Sequence, residues 1–212
     1  MILSKITALI QPPDKNGRVD VYADGEYLMS ISENAALESG LRVGMEIDEK
    51  SLKDIEHSVQ LTKAKSKAYD YLSYGDMSEK KLFDKLTRYG FSREIALECV
   101  EDMRQNGYID NTRYAADLAY SLANVRLYGP RRIIQELRLR GIDSQTAQYA
   151  VESLDTDFKQ SIKALVSGRL KRDMTDPKEV KKLIAALMRN GYDYETVKSS
   201  LREIADEEEI YE

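Results

Sequence analysis

Three pairs of basic residues recur at one register in this sequence: Lys80-Lys81, Arg131-Arg132 and Lys181-Lys182. Each pair stands ten and nine residues before a glycine, namely Gly90, Gly141 and Gly191. Each also falls early in a helix signature. Ser78 and Asp176 read as N-caps, and Pro130 and Pro177 suit a first turn. Cations at a helix start oppose the helix dipole, at a typical cost of ~0.3–1 kcal/mol each, so helix stability does not account for them. A helix start with two cations can instead hold an anion, through free N–H groups and charge together. The plainer alternative is solvated helix positions, with Glu79, Glu136 and Glu179 as local partners. The middle pair sits in the richest set, with Arg113, Arg126, Arg138 and Arg140 nearby in sequence. Arg131 and Arg138 are seven apart and share a helix stripe with Gln135 between them, while Arg132 faces Glu136 at i+4. Such a stripe is a localised footprint for phosphate or carboxylate.

Nothing else in the chain is arranged for catalysis. Cys99 lies nine residues after Gly90, where the corresponding positions hold Ala150 and Ser200. That column asks for a small side chain, so Cys99 reads as core filler. His57 has no second histidine or cysteine beside it and reads as structural. Glu101 and Asp102 adjoin on a helix and point to different sides, which is no acid–base dyad. No nucleophile-elbow, zinc-protease or phosphate-loop motif occurs. One Cys and one His make neither a disulfide framework nor a common zinc site. The reading is therefore no enzyme, no cofactor and no metal. The sequence holds no apolar run of ~18 residues and no secretory leader, which reads as a cytoplasmic protein without a membrane span. Net charge is -5. Residues 1–57 carry 6 basic against 11 acidic residues, whereas residues 111–154 carry 6 against 4 and are the one basic stretch. The run Asp206-Glu207-Glu208-Glu209 reads as a frayed, solvated end.

The elements that must position these residues are of two kinds. The first fifty residues read as strands: Ile2 to Ile10, then Val19–Ala23 and Glu26–Ile31 joined across Asp24-Gly25, a strong hairpin signal. Pro12-Pro13-Asp14 and Asn16-Gly17 supply another turn, and Tyr22 and Tyr27 read as sheet packing. Ser32 reads as the cap of a short helix ending at Gly40, and Leu41 to Ile47 as a turn and short strand. From about residue 48 the period becomes helical, and the three glycines, 51 and 50 apart, set a repeat. Leu86, Leu137 and Leu187 stand four before the glycine; Leu82, Ile133 and Leu183 stand eight before. Phe91, Ile142 and Tyr192 follow it, then the helix openers Ser92, Asp143 and Asp193. Val100, Val151 and Leu201, then Met103, Leu154 and Ile204, complete the columns. A further helix precedes each pair, at about Leu61–Tyr74, Thr112–Leu127 and Phe158–Lys171. The expected fold is mainly α: three tandem three-helix repeats in an elongated curved array, preceded by a small β-rich module. The expected boundaries are 1–50 for the module and 51–110, 111–155 and 156–212 for the repeats.

The strings Gly107-Tyr108-Ile109-Asp110-Asn111-Thr112-Arg113-Tyr114-Ala115, Gly129-Pro130-Arg131-Arg132-Ile133-Ile134-Gln135-Glu136-Leu137 and Arg140-Gly141-Ile142 resemble the RecX family of bacterial regulators. Ser78-Glu79-Lys80-Lys81-Leu82 and Tyr89-Gly90-Phe91 fit that family's first helical repeat, and the resemblance spans about residues 60–205. Asn111 departs from the acid common at its position. The resemblance implies an all-helical tandem repeat that binds the RecA recombinase filament. It also implies inhibition of recombinase, ATPase and coprotease activity, and so a place in recombination, DNA repair and the SOS response. Family members have also been associated with DNA binding, but the loop Val125-Arg126-Leu127-Tyr128 is less basic than usual for the family, which limits the expected DNA contact to a weak one. The expected partner-binding residues are Lys80, Lys81, Arg113, Arg126, Arg131, Arg132, Arg138, Arg140, Lys181 and Lys182, on a monomer. Within the motif Asp110 reads as a helix cap, and Tyr108 as packed. Two rival classes are a helix-turn-helix DNA reader and a generic helical scaffold. The first needs a basic recognition helix. The third helices here carry Glu94, Glu98, Glu101 and Asp102 in one repeat, and no Lys or Arg over 144–154 in the next.

Overall fold

The computed structural model describes residues 3–13, 17–167 and 176–210. The chain forms two compact units, residues 1–75 with 82–106 and residues 76–81 with 107–212. The first unit opens with strands β1 (Leu3–Ile10), β2 (Arg18–Ala23), β3 (Glu26–Ser32) and β4 (Glu46–Asp48). They form one sheet in the order β3-β2-β1-β4, with antiparallel pairing throughout. The β2–β3 hairpin turns on Asp24 (φ +52°) and Gly25 (φ +87°), both left-handed as a tight two-residue turn demands. Tyr22 and Tyr27 face each other across it, ring centroids 5.7 Å apart, edge to face. Ser32 caps α1 (Glu33–Glu38) by accepting the Ala35 N–H. The Pro12 to Gly17 turn runs partly through residues 14–16, outside the described residues.

One face of the sheet buries Ile6, Val19, Val21, Ile31 and Ile47 together with Val59 of α2 (Glu49–Ser73). This helix is far longer than the expected Leu61–Tyr74. Asp48 caps it by accepting the Ser51 N–H at 2.7 Å, and its first turns lie on the sheet through Ile55 and Val59. The helical period that begins at about residue 48 already covers this stretch, and the expected helix starts too late within it. α3 (Glu79–Tyr89) and α4 (Arg93–Gln105) follow. α4 is tied to α2 by His57 Nε2 to Glu98 at 3.0 Å and Lys65 Nζ to Asp102 at 2.6 Å. Cys99 is fully buried beside them, as the small-residue column required.

The second unit holds α5 (Asn111–Asn124), α6 (Pro130–Leu139), α7 (Ser144–Glu152), α8 (Phe158–Val166), α9 (Pro177–Arg189) and α10 (Tyr194–Ile210). The register seen in sequence is the packing register. Leu82, Ile133 and Leu183 are buried, as are Leu86, Leu137 and Leu187. Ser92, Asp143 and Asp193 each accept the N–H three residues on, opening α4, α7 and α10. Asp110 likewise caps α5 through the Thr112 and Arg113 N–H groups. Among the described residues no strand lies between 60 and 205. The cores of α5–α7 and α8–α10 share Phe158, which packs against both.

Three further boundaries differ from expectation. α5 stops at Asn124 rather than Leu127, which turns left-handed (φ +52°) and offers its carbonyl to Tyr192 Oη at 2.9 Å. α8 ends at Val166, and the expected end at Lys171 lies outside the described residues. α10 continues to Ile210, so the acidic run belongs to a helix rather than to a frayed end.

Candidate partner-binding surface

Two of the three helix starts that carry the basic pairs are built against the glycine turn of the next repeat. A Cβ on Gly141 would stand 2.4 Å from both Cβ and Cδ of Lys80, so the Lys80 stem lies directly on that turn. Beneath it the buried Ser78 hydroxyl donates to the Arg140 carbonyl and accepts the Lys81 N–H at 3.2 Å. Asn111 Oδ1 accepts the Glu79 N–H at 3.0 Å, so the departure from an acid at this position keeps an acceptor. The next junction is tighter and made of backbone. Gly129 N–H donates to the Asn190 carbonyl at 2.8 Å, and Arg131 N–H to the Gly191 carbonyl at 3.1 Å. A Cβ on Gly129 would stand 2.4 Å from the Gly191 carbonyl carbon. Only glycine admits this approach. At α9 the Lys178 N–H goes to Asp176 Oδ1 at 2.8 Å.

These contacts correct one expectation. A helix start holds an anion through its free N–H groups, and here those of Glu79, Lys81, Gly129, Arg131 and Lys178 are already taken. Side-chain charge alone is left for a partner.

The ten basic residues separate accordingly. Arg132 is half-buried: Nη1 donates to Asn190 Oδ1 at 3.1 Å, Nη2 to Tyr128 Oη at 3.2 Å, and the guanidinium lies 4.0 Å from the Tyr128 ring centroid. It locks the junction and does not pair with Glu136 as its i+4 spacing suggested. Glu136 instead takes Arg140, at 2.6 Å, which is also i+4. Lys182 extends into solvent but pairs with Glu179 at 2.6 Å. Lys80, Lys81, Arg113, Arg126, Arg131, Arg138 and Lys181 are exposed. Tyr108, expected packed, is 49% exposed.

Two of the exposed cations frame a formed surface. Arg131, Ile134, Gln135, Arg138 and Leu139 line an open groove of about 400 Å³ along α6. The two arginines stand seven residues apart, about 10 Å along the helix. Half-buried Ile134 stands between them, and Leu139, 69% exposed, follows Arg138. Arg131 also helps hold the Asp193 carboxyl below the usual carboxylate range, though hydrogen bonds from Thr196 contribute more. Leu139, Tyr128 and Asn190 escaped sequence reasoning. Leu139 lies off the apolar columns, Tyr128 meets Arg132 from four residues away as a ring and hydroxyl partner, and Asn190 acts through a junction that joins residues 58 apart.

This organisation matches known proteins along most of its length. The model of the "Regulatory protein RecX N-terminal domain" matches residues 4–48, that of "RecX, first three-helix domain" residues 64–103, and that of "RecX, second three-helix domain" residues 110–151. The chain belongs to the RecX family. The regulatory protein RecX of Clostridioides difficile is 29% identical over 207 residues, covering 96% of this chain and 97% of that one. RecX of Caldanaerobacter subterraneus is 28% identical over 196 residues, covering 92% and 98%. A crystal structure of a regulatory protein RecX superposes with a TM-score of 0.72 at 27% identity, covering 93% of this chain and all of that one. RecX from Lactobacillus salivarius shares the fold, with a TM-score of 0.64 at 22% identity over 69% of this chain. Among the described residues of this RecX-family chain, no group of three His, Cys, Asp or Glu could hold a metal ion. No described helix is long and apolar enough to cross a membrane.

Proposed function

We propose that this chain binds the RecA recombinase or its nucleoprotein filament and inhibits its ATPase, strand-exchange and coprotease activities. In this reading it is a monomeric, non-enzymatic cytoplasmic regulator in DNA repair and the SOS response. Family membership supports the RecA partner. The α6 groove supports the mode of contact and carries the proposal. Two exposed guanidinium groups stand in one groove with the apolar Ile134 and Leu139, which suits a protein surface offering carboxylates beside an apolar side chain. A helix-turn-helix DNA reading is weaker, because α4 exposes Glu94, Glu98 and Glu101 against Arg93 and Arg104, and α7 carries no Lys or Arg.

The test is RecA's single-stranded-DNA-dependent ATPase, titrated with the parent chain and with the Arg131→Glu, Arg138→Glu double variant. The parent should lower the rate at sub-stoichiometric to equimolar ratios. The variant should melt like the parent, since exposed substitutions usually stay within ~0.5 kcal/mol, and should inhibit far less. No inhibition by excess parent against a cognate RecA refutes the function. Inhibition unchanged in the variant refutes the groove.

A further inference from the structure

The three glycine turns are equivalent in sequence but not in surroundings. Those at Gly141 and Gly191 have atoms within 3 Å of where a Cβ would stand, whereas at Gly90 no atom lies within 4 Å. The first turn opens instead onto a groove of about 430 Å³ inside the first unit. Its other wall is one stripe of α2: Gln60, Lys63, Lys67 and Asp70, with Ser66 beside them. The Gln60 amide, the Ser66 hydroxyl and both ammonium groups are hydrogen-bond donors. The one acid, Asp70, is 3.5 Å from Lys67. Lys63 makes no ion pair with a described residue, and partial burial and the nearby Arg18 charge both depress its pKa. The fold thus holds two cations near each other with no carboxylate assigned to Lys63. Aromatic rings interleave with the charge. Lys67 Nζ lies 5.0 Å from the Tyr89 ring centroid and 5.2 Å from that of Tyr71, and Lys85 Nζ 4.3 Å from Tyr71. Tyr89, 60% exposed, stacks on Phe91 at 5.5 Å.

We propose that this groove binds a nucleotide phosphate, either in a free nucleotide or in a nucleic-acid strand. Lys63, Lys67 and Ser66 supply donors for the phosphate oxygens, and the Tyr89–Phe91 wall supplies surface for the sugar or base. The volume falls in the ~300–1,000 Å³ range of small-ligand sites, more than a lone carboxylate side chain fills. Lysines alternating with exposed rings are the pattern by which proteins hold phosphate and base together. This site is separate in residues from the α6 groove and does not depend on RecA.

The experiment uses the intact chain with four probes: inorganic pyrophosphate, ADP, fluorescein-labelled oligothymidylate and polyglutamate. Each is titrated against the parent, Lys63→Gln and Tyr89→Ala, with melting curves to confirm that both variants fold. A phosphate probe should bind the parent, and Lys63→Gln should weaken it several-fold. For the strand, the salt slope should also fall by about one. Tyr89→Ala should weaken ADP or the oligonucleotide roughly fivefold or more, but not pyrophosphate. Binding of ADP identifies a free nucleotide as the source, and binding of the oligonucleotide alone identifies a strand; either result supports the site. Three results overturn it: no phosphate probe binding, binding unchanged in folded Lys63→Gln, or only polyglutamate binding with Lys63 dependence. The last would assign the groove to an acidic protein segment.

Discussion

Replacing Gly191 by alanine probes the glycine junction at the start of α6. The added methyl would stand 2.4 Å from the Arg132 backbone nitrogen, 2.5 Å from Arg132 Cβ and 2.9 Å from the Gly129 carbonyl oxygen. Two of these three neighbours are backbone atoms, which cannot rotate aside. The residue also sits at φ +96°, where an L side chain is strained by ~1–2 kcal/mol. Overpacking a site of this kind costs a further ~1–3 kcal/mol. Gly90→Ala is the matched control. It is also left-handed, at φ +115°, but meets no atom within 4 Å. The strain is common to both variants, so the gap between them, about 1–3 kcal/mol, measures the junction alone. For a chain of this size each kcal/mol moves the melting temperature by ~2–4 °C, so Gly191→Ala should melt on the order of 5 °C below Gly90→Ala. Far-UV circular dichroism reads the melting. Hydrogen exchange reads the cause, since the Gly129 and Arg131 amides should lose protection only in Gly191→Ala. Melting temperatures within about a degree of each other, with both amides still protected, would show that the turn does not bear on the helix start.

Three further outcomes are expected. Leu137 is fully buried in the α5–α7 core, so Leu137→Ala should cost ~2–5 kcal/mol in urea unfolding; a cost below that range would place the residue at the core's edge. Hydrogen bonds from the Thr196 hydroxyl and N–H, with the Arg131 charge, hold the Asp193 carboxyl below its ordinary range. A depressed folded pKa stabilises fully above the unfolded value of ~3.9 and is lost as pH falls through the folded value. The stability gap between parent and Asp193→Asn should therefore be largest at neutral pH and close on acidification, and a gap constant from neutral to acid pH refutes the assignment. Burial, reinforced by the Asp102 carboxylate, pushes the Cys99 thiol up to about 11, so a disulfide reagent at mildly alkaline pH should modify it only after unfolding. Rapid labelling of the native chain would contradict that packing.

The repeat was legible because helix cores and glycine turns are local and periodic. Leu82, Ile133 and Leu183 declare themselves by spacing alone, and so do the caps Ser92, Asp143 and Asp193. The small-residue column likewise identified Cys99 as core. The junctions were illegible because they depend on contacts between residues about sixty apart in the chain. Arg132 had a plausible local partner in Glu136, yet Tyr128 and Asn190 claim it, and Glu136 takes Arg140 at the same i+4 spacing. Spacing could list both pairings but could not rank them. The first half of α2 was missed for a related reason. Its helical period is present in the sequence from about residue 48, but it packs on a sheet through Ile55 and Val59, and the columns that set the repeat do not reach it. The groove at Gly90 was invisible because the sequence makes the three turns look alike, and only the structure shows that two are covered and one is open.

The docking of Gly191 on Gly129 has a consequence for dissecting this chain. A fragment ending near residue 155 would contain every buried residue of the α5–α7 core, lacking only Phe158 among those packed on it, yet it would strip the acceptors from the Gly129 and Arg131 amides. It would also remove Asn190 from Arg132 and the Tyr192 hydroxyl from the Leu127 carbonyl. Four polar groups would then face water at the end of α6, the helix that presents Arg131 and Arg138. The final helices thus act as an end-piece that completes the helix before them, even where they touch no partner. A truncation that abolishes activity would report the loss of that support, so point substitutions on the surface of α6 are the cleaner way to map what the chain binds.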